Sequence, residues 1–396
     1  MADLGSLMGV RTYLDHNATT ALCPEARAAM LSAFDLVGSA SSIHGEGRAA
    51  RQRVEAARAE VAALVGAQPK NVIFVSGASE ANATALSLAW QRGPGRPALG
   101  HGLLSAIEHA SVLAGGRIPA ERLSLLPVGG DGRLDLGAAE KHLVALAEPA
   151  LVSLMLANNE TGIVQPVAAL AALVRVAGGL FHCDAAQAAG KIAVDLPATG
   201  ADLLTLSSHK LGGPGGVGAL VLASDALHLA EPLVKGGGQE RGRRAGTENI
   251  AAIAGFGAAV RMANLHLATR AAHMAALRDR LEAGLREISP DVVIFGAGTE
   301  RLPNTTAFAV PGIAAETALI GLDLAGFALS SGSACSSGKV RASHVLLAMG
   351  TAPDLVEGAL RLSTGPDTSM AEIDLFLAAW KRLQDRLHAN KKGRAA

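Results

Sequence analysis

Lys210, Asp184 and Cys335 are the residues of this chain whose types and surroundings best suit covalent or proton-transfer chemistry. Lys210 closes Ser207-Ser208-His209-Lys210, behind an apolar run at 203–206 and ahead of Leu211-Gly212-Gly213-Pro214-Gly215-Gly216. A lysine at the end of a buried strand is poorly solvated, and desolvation lowers an amine's pKa and makes it a nucleophile toward carbonyls. Standing alone, such a lysine reads more often as a surface loop residue. Its upstream context changes the reading. Asp184 ends the apolar Leu180-Phe181-His182-Cys183-Asp184, with Gln187 three residues on. A carboxylate there can keep a pyridinium nitrogen protonated, the acidic partner expected of a pyridoxal phosphate site, and Gln187 can reach the phenolic oxygen. Without Lys210, Asp184 would read as a helix N-cap or turn residue.

A phosphate cradle accompanies them. The apolar run 72–75 enters Ser76-Gly77-Ala78-Ser79-Glu80 and then a helical pattern, so backbone N–H groups converge at a helix N-terminus. A plain capped helix with Glu80 in its first turn fits those residues equally well. Ser207 and His209 would add donors from the second loop. Cys335 stands in Ser333-Ala334-Cys335-Ser336-Ser337-Gly338-Lys339, a run of small residues too polar for core and suited to carrying a thiolate toward a substrate and away again. Lys339 favours that thiolate modestly. Cys23 and Cys183 read instead as small hydrophobes.

These residues need elements to hold them. Apolar runs at 72–75, 103–107, 151–156, 180–182, 203–206 and 217–222 alternate with helical patterns such as 80–90. Strands that are continuously apolar, not alternating, belong to a sheet covered on both faces, and their alternation with helices predicts a parallel-rich α/β sheet. Val54, Ala57, Val61, Leu64 and Val65 form one helical stripe, with Arg51, Glu55, Arg58 and Glu60 placed on the surface. Past residue 262 the texture changes to a long charged helix at 261–288, strands at 292–295 and 305–310, and a last helix at 370–387. This reads as a smaller α/β domain to which the N-terminal stretch returns.

The 396 residues carry 35 Lys+Arg and 35 Asp+Glu, and 49% are hydrophobic, which excludes intrinsic disorder. The zero net charge argues against a general nucleic-acid partner. Forty-six glycines without a G-X-Y period exclude collagen. No signal peptide is recognisable and no apolar run reaches the roughly 18–20 residues of a bilayer span, so no membrane partner is expected. Three cysteines, far apart and without a CxxC pair, oppose a disulfide framework and a zinc site. The expected location is cytoplasmic.

The sequence resembles the cysteine desulfurases of the NifS/IscS type, class V aminotransferase-like enzymes of fold-type I that use pyridoxal 5'-phosphate. The motifs that carry the resemblance are Asn17-Ala18-Thr19-Thr20, Asn158-Asn159-Glu160-Thr161-Gly162, the Asp184 and Gln187 pair, Ser208-His209-Lys210, Arg243-Arg244-Ala245-Gly246-Thr247-Glu248-Asn249 and Ser330-Ser331-Gly332-Ser333-Ala334-Cys335. They run in order from Tyr13 to about Leu362. The resemblance implies a large cofactor domain at 20–262 with a mostly parallel seven-stranded sheet. It also implies a small domain made of 1–19 and 263–396 that carries the cysteine loop.

It further implies that Lys210 binds the cofactor covalently and that His109 stacks on the ring and assists proton transfer. A helix-capping role is the plainer reading of His109. Asn159 is placed near the phenolic oxygen and the substrate, and Ala78, Ser79, Ser207, Ser208 and His209 on the phosphate. Thr247 is contributed by the other subunit of a homodimer. Arg361 grips the substrate carboxylate, for which a planar guanidinium is suited; read without the family, an inward Arg on an apolar strand itself asks for an anion. Cys335 falls at the family's persulfide-carrying cysteine, in the longer loop form of NifS/IscS as opposed to SufS.

The implied reaction removes sulfur from L-cysteine, giving L-alanine and a persulfide on Cys335 that passes to an acceptor such as an iron–sulfur scaffold or a thiolation protein. The rivals are a selenocysteine lyase, a class V aminotransferase, which needs no mobile cysteine, and a sulfur-delivery scaffold subunit, which would show a weakened Lys210 or Asp184 site. Some positions depart from the usual pattern: His16 for Asn, Ser79 for Thr, Ser39-Ala40 for Asn-Pro, and Gly365-Pro366-Asp367 for a Gly-Arg pair. None removes a catalytic group. No long extension follows the last helix, so a scaffold-docking tail is expected to be absent.

Overall fold

The structure is a computed structural model that describes residues 11–331 and 342–395. Seven strands form its central sheet: β1 (Val72–Val75), β2 (His101–Ser105), β3 (Leu123–Leu126), β4 (Ala150–Ser153), β5 (Leu180–Asp184), β6 (Leu203–Ser207) and β7 (Gly218–Leu222). Their order is β1-β7-β6-β5-β4-β2-β3, with β7 antiparallel to both its neighbours and the other pairs parallel. This is the mostly parallel α/β sheet that the apolar runs predict. The strands β1, β4, β5, β6 and β7 are buried at every residue, because helices cover both faces. Each fully buried Leu, Val or Phe among them stabilises the fold by about 1.5–3 kcal/mol.

The chain order places the ends of β4, β5 and β6 side by side. β1 runs in the same direction as β6, so the turn after Val75 opens on the same edge of the sheet. In open α/β sheets ligands lie in the crevice outside these carboxyl ends. Helices Pro24–Phe34 and Gly45–Leu64 pack on helix Ile250–Leu265 across one face. The Val54, Ala57, Val61, Leu64 stripe is buried as read. Arg58 is not on the surface. It turns inward, where Nη2 meets Glu240 Oε1 at 2.9 Å, Nη1 donates to Val72 O at 2.8 Å, and the guanidinium stacks 4.8 Å from the Phe74 ring. A partner carboxylate far along the chain is what sequence periodicity does not reveal.

A second sheet is antiparallel throughout: β8 (Val293–Ile294), β9 (Thr305–Ala309), β10 (Ser330–Ser331) and β11 (Leu360–Ser363), in the order β8-β9-β11-β10. Its core gathers Leu14, Leu277, Leu281, Phe308, Phe376 and Trp380, with Phe308 and Trp380 edge to face at 5.4 Å. Thr12–Tyr13 pairs in parallel with Phe327–Ala328, so the N-terminal stretch joins this second core. The charged helix read at 261–288 begins later, as Leu267–Ile288. It is separated by a 73° bend from Ile250–Leu265, whose Phe256, Val260 and Ala263 still pack in the first core. The bend is where the chain changes cores.

Candidate active site

Lys210, Asp184, Gln187, His109, Asn159, Ala78, Ser79, Ser207, His209 and Arg361 line one cavity of ≈ 420 Å³ at the carboxyl edge of the central sheet. They arrive from several different elements. Asp184 is the last residue of β5, so its side chain leaves the sheet at the floor of the cavity. Its Oδ1 accepts the Ala186 N–H at 2.9 Å and its Oδ2 accepts from Asn82 Nδ2 at 2.8 Å. Lys210 ends the short turn Ser208–Lys210 that follows β6, and its Nζ donates to the carbonyls of Asn17 and Ala18.

His109 is both things the sequence offered. It caps helix Ala110–Leu113, with Nδ1 accepting from Ser111 N at 3.1 Å, and it faces the cavity. Asn82 donates to Ser111 Oγ at 2.9 Å as well as to Asp184, which leaves the Ser111 hydroxyl to donate to His109 Nδ1 at 2.8 Å. With Nδ1 accepting, the neutral ring carries its proton on Nε2. Burial pushes the His109 pKa below the usual range, against the pull of Asp184 and with a push from Lys210. His209 is held at about 4 by burial and by Lys210 and Lys191, and its Nδ1 lies 3.1 Å from Thr19 Oγ1.

Helix Ala78–Ala85 starts at the cavity. Its first intrahelical bond runs from Ala81 N to Gly77 O, so the N–H groups of residues 78–80 lie ahead of the helical ladder. Glu80 stabilises this turn by accepting from Ser76 N at 2.7 Å and from Arg244 Nε at 2.8 Å. Three polar side-chain atoms of cavity-lining residues are buried without a hydrogen-bond partner: Ser207 Oγ, Asn159 Oδ1 and Arg361 Nε. Such atoms ask for a ligand. Anion donors, a fixed carboxylate, an amine, an imidazole and a guanidinium lining one cavity fit a phosphorylated, nitrogen-containing ring beside an amino acid.

Two of the residues picked from the sequence do not line the cavity. Ser208 is buried with its hydroxyl against Gly213. Thr247 is exposed. Cys335 lies outside the described residues. The structure also gives work to residues to which the sequence reading assigned no role. Asn17 is the hub: Gln187 Nε2 and Lys210 Nζ both donate to its carbonyl, and the fully buried Lys191 donates to its Oδ1 at 3.0 Å and to Gln187 Oε1 at 2.7 Å. Burial drives the Lys191 pKa well down, helped by Lys210 and Arg361. The four-residue spacing of Gln187 and Lys191 was its only sequence signal.

Residues 12–376 match the family described as aminotransferase class-V. A curated cysteine desulfurase of Cereibacter sphaeroides is 44% identical over 386 residues, covering 96% of this chain and 97% of that protein. Among solved structures, a NifS-like protein from Rickettsia africae superposes with a TM-score of 0.85 at 32% identity, over 95% of this chain and 99% of the other. SspA in complex with cysteine superposes with a TM-score of 0.73 at 27% identity, over 90% and 100%. With a fold and relatives that match along nearly its whole length, the chain belongs to the class-V aminotransferases and, within them, to the NifS-type cysteine desulfurases.

Proposed function

We propose that the chain is a pyridoxal 5'-phosphate-dependent cysteine desulfurase that converts L-cysteine to L-alanine and stores the sulfur as a persulfide on Cys335. The observation that carries the reading is the convergence of Lys210, Asp184, His109, Asn159 and Arg361 on one cavity. The residues present fit the cofactor. The N–H groups of Ala78 and Ser79 with Ser207 and His209 would hold the phosphate, Asp184 the ring nitrogen, and Gln187 and Asn159 the phenolic oxygen. When bound, the pyridoxal group supplies an electron sink for negative charge at the substrate α-carbon.

The chain's own groups do the remainder. Asp184, with both oxygens already accepting, is fixed in place and presents its charge to whatever N–H lies above it. Lys210 Nζ takes the proton from the α-carbon and can return one, its amine steered by the carbonyls of Asn17 and Ala18. His109, neutral through burial and with Nδ1 taken up by Ser111, can donate the proton it carries on Nε2. Arg361 holds the carboxylate. Cys335 Sγ attacks the substrate sulfur; the new S–S bond forms as the Cβ–S bond breaks, and Cβ gains a proton to become the methyl of alanine. The persulfide then passes to a sulfur acceptor, with iron–sulfur cluster assembly as the proposed use, and the working unit is a homodimer in the cytoplasm. The cysteine-bound structure of SspA supports the substrate.

The test is a set of single cysteine variants. Cys335→Ser is expected to bind L-cysteine yet form almost no alanine over multiple turnovers, with no added sulfur by mass spectrometry. Cys23→Ser and Cys183→Ser keep turnover, since Cys183 is packed in the core and Cys23 is half-buried beside it. Normal alanine production by Cys335→Ser would favour direct elimination, as in a lyase.

A further inference from the structure

Arg361 does not wait alone for a substrate carboxylate. Its side chain is 5% exposed, on β11, and its Nη2 donates to Asp15 Oδ1 at 2.7 Å. Nη1 donates to the carbonyl of Asn159 at 3.0 Å, and Nε is buried without a partner. Asp15 is anchored on its other side, where Oδ2 accepts from Ser330 Oγ at 2.9 Å, and its backbone bridges to Ser363 at the end of the same strand. The carboxylate is therefore a fixed part of the wall behind Arg361, while Arg361 itself lines the cavity.

A second carboxylate on that guanidinium must share its single positive charge and approach Asp15 closely, where two anions repel. We infer that Asp15 is a built-in competitor that weakens the grip of Arg361 on the α-carboxylate and so sets the affinity of the site. The inference rests on the desulfurase reading, in which Arg361 holds that group. It has a use there. Substrate and product carry the same carboxylate and differ only in sulfur, so a strong carboxylate grip would retain L-alanine as firmly as L-cysteine. Uniform binding of this kind adds nothing to turnover. Asp15 also keeps a buried guanidinium paired whenever the carboxylate departs.

The alternative is that Asp15 simply orients Arg361, and the two predict opposite signs. The probe is 3-mercaptopropionate, which has the thiol and carboxylate of cysteine but no amine to condense. The control, 3-mercaptopropan-1-ol, has the same chain with a neutral end. Calorimetric titration of the purified enzyme is expected to show Asp15→Asn binding 3-mercaptopropionate about tenfold more tightly than wild type, the worth of one charge-assisted hydrogen bond. Binding of the alcohol stays unchanged. Asp15→Ser, which leaves a small polar group beside Ser330, shifts the same way, so either folded variant decides.

Unchanged or weaker binding of the acid, or equal tightening of both ligands, overturns the inference. Arg361→Gln separates the two readings. It should lose affinity for the acid; if it binds like wild type, the carboxylate is held elsewhere and the assignment of Arg361 fails first.

Discussion

Glu160 sits behind the cavity with its carboxyl almost wholly buried. Its Oε2 accepts from the hydroxyl of Ser343, which caps helix His344–Ala348, and Oε1 lies 3.9 Å from His344 Nδ1. Burial raises its pKa from 4.5 to about 7, although Ser343 and the nearby Arg361 both pull it down. The fold therefore favours the protonated acid. Its contribution to stability is complete below about pH 4.5 and is lost as the pH rises through 7, by roughly 3 kcal/mol in all from the linkage of the two pKa values. Glu160→Gln keeps a neutral group and an acceptor for Ser343. Urea unfolding at a series of pH values should show the variant gaining on wild type between pH 5 and 8, with the gap closing toward pH 5. Parallel stability curves across that range would mean the carboxyl is ionised in the fold at little cost. Glu108, buried beside His109, is raised by burial in the same sense, but its carboxyl accepts from Met155 N at 2.7 Å and is present in both proteins, so its share cancels in the wild-type-to-variant difference.

At the scale of elements, the two loops that would hold the phosphate are spaced by one strand. β7 lies between β1 and β6, and Gly218 is paired with Val75 on one side and Ser207 on the other, the residues from which the two loops depart. A Cβ on Gly218 would stand 2.7 Å from Leu206 O and 2.8 Å from the carbonyl carbon of Gly77, all backbone that cannot swing aside. Gly218→Ala should therefore wedge the loops apart. It is expected to destabilise the protein by about 1–3 kcal/mol, as overpacking does, and to weaken pyridoxal phosphate binding when the apoenzyme is titrated by fluorescence. Unaltered affinity would show that the loops do not need this spacing. Much of the element level was legible beforehand: the apolar runs marked every central strand but β3, and the residues at their ends marked the cavity. What stayed hidden were contacts between distant parts of the chain. Arg58 looked exposed because Glu240 is 182 positions away, and Asp15 was passed over because its partner is Arg361. His16 and the Gly365-Pro366-Asp367 run looked like separate departures, yet they lie side by side: a Cβ on Gly365 would fall 2.1 Å from the His16 ring.

On the scale of the whole molecule, the segment from Arg243 to Asn249 carries residues that face in different directions. Arg244 belongs to its own protomer, pairing with Glu80 at the start of helix Ala78–Ala85. Thr247, three residues on, is exposed and does not line the cavity of this chain. A segment tied to one site by Arg244 and reaching outward with Thr247 is suited to complete a neighbour's phosphate site across a two-fold axis, where each protomer gives what it receives. If so, two different defects can complement. A Lys210→Ala protomer still offers Thr247, and a Thr247→Ala protomer still offers Lys210. Mixed dimers would hold one site with both residues and one with neither. Each variant alone should lose cofactor retention or turnover, and subunit exchange between them should restore alanine formation toward half the wild-type rate per mixed dimer. A monomeric mass with full activity, or mixing that restores nothing although exchange is seen by mass spectrometry, would place Thr247 outside the neighbour's site and leave each protomer to bind its phosphate alone.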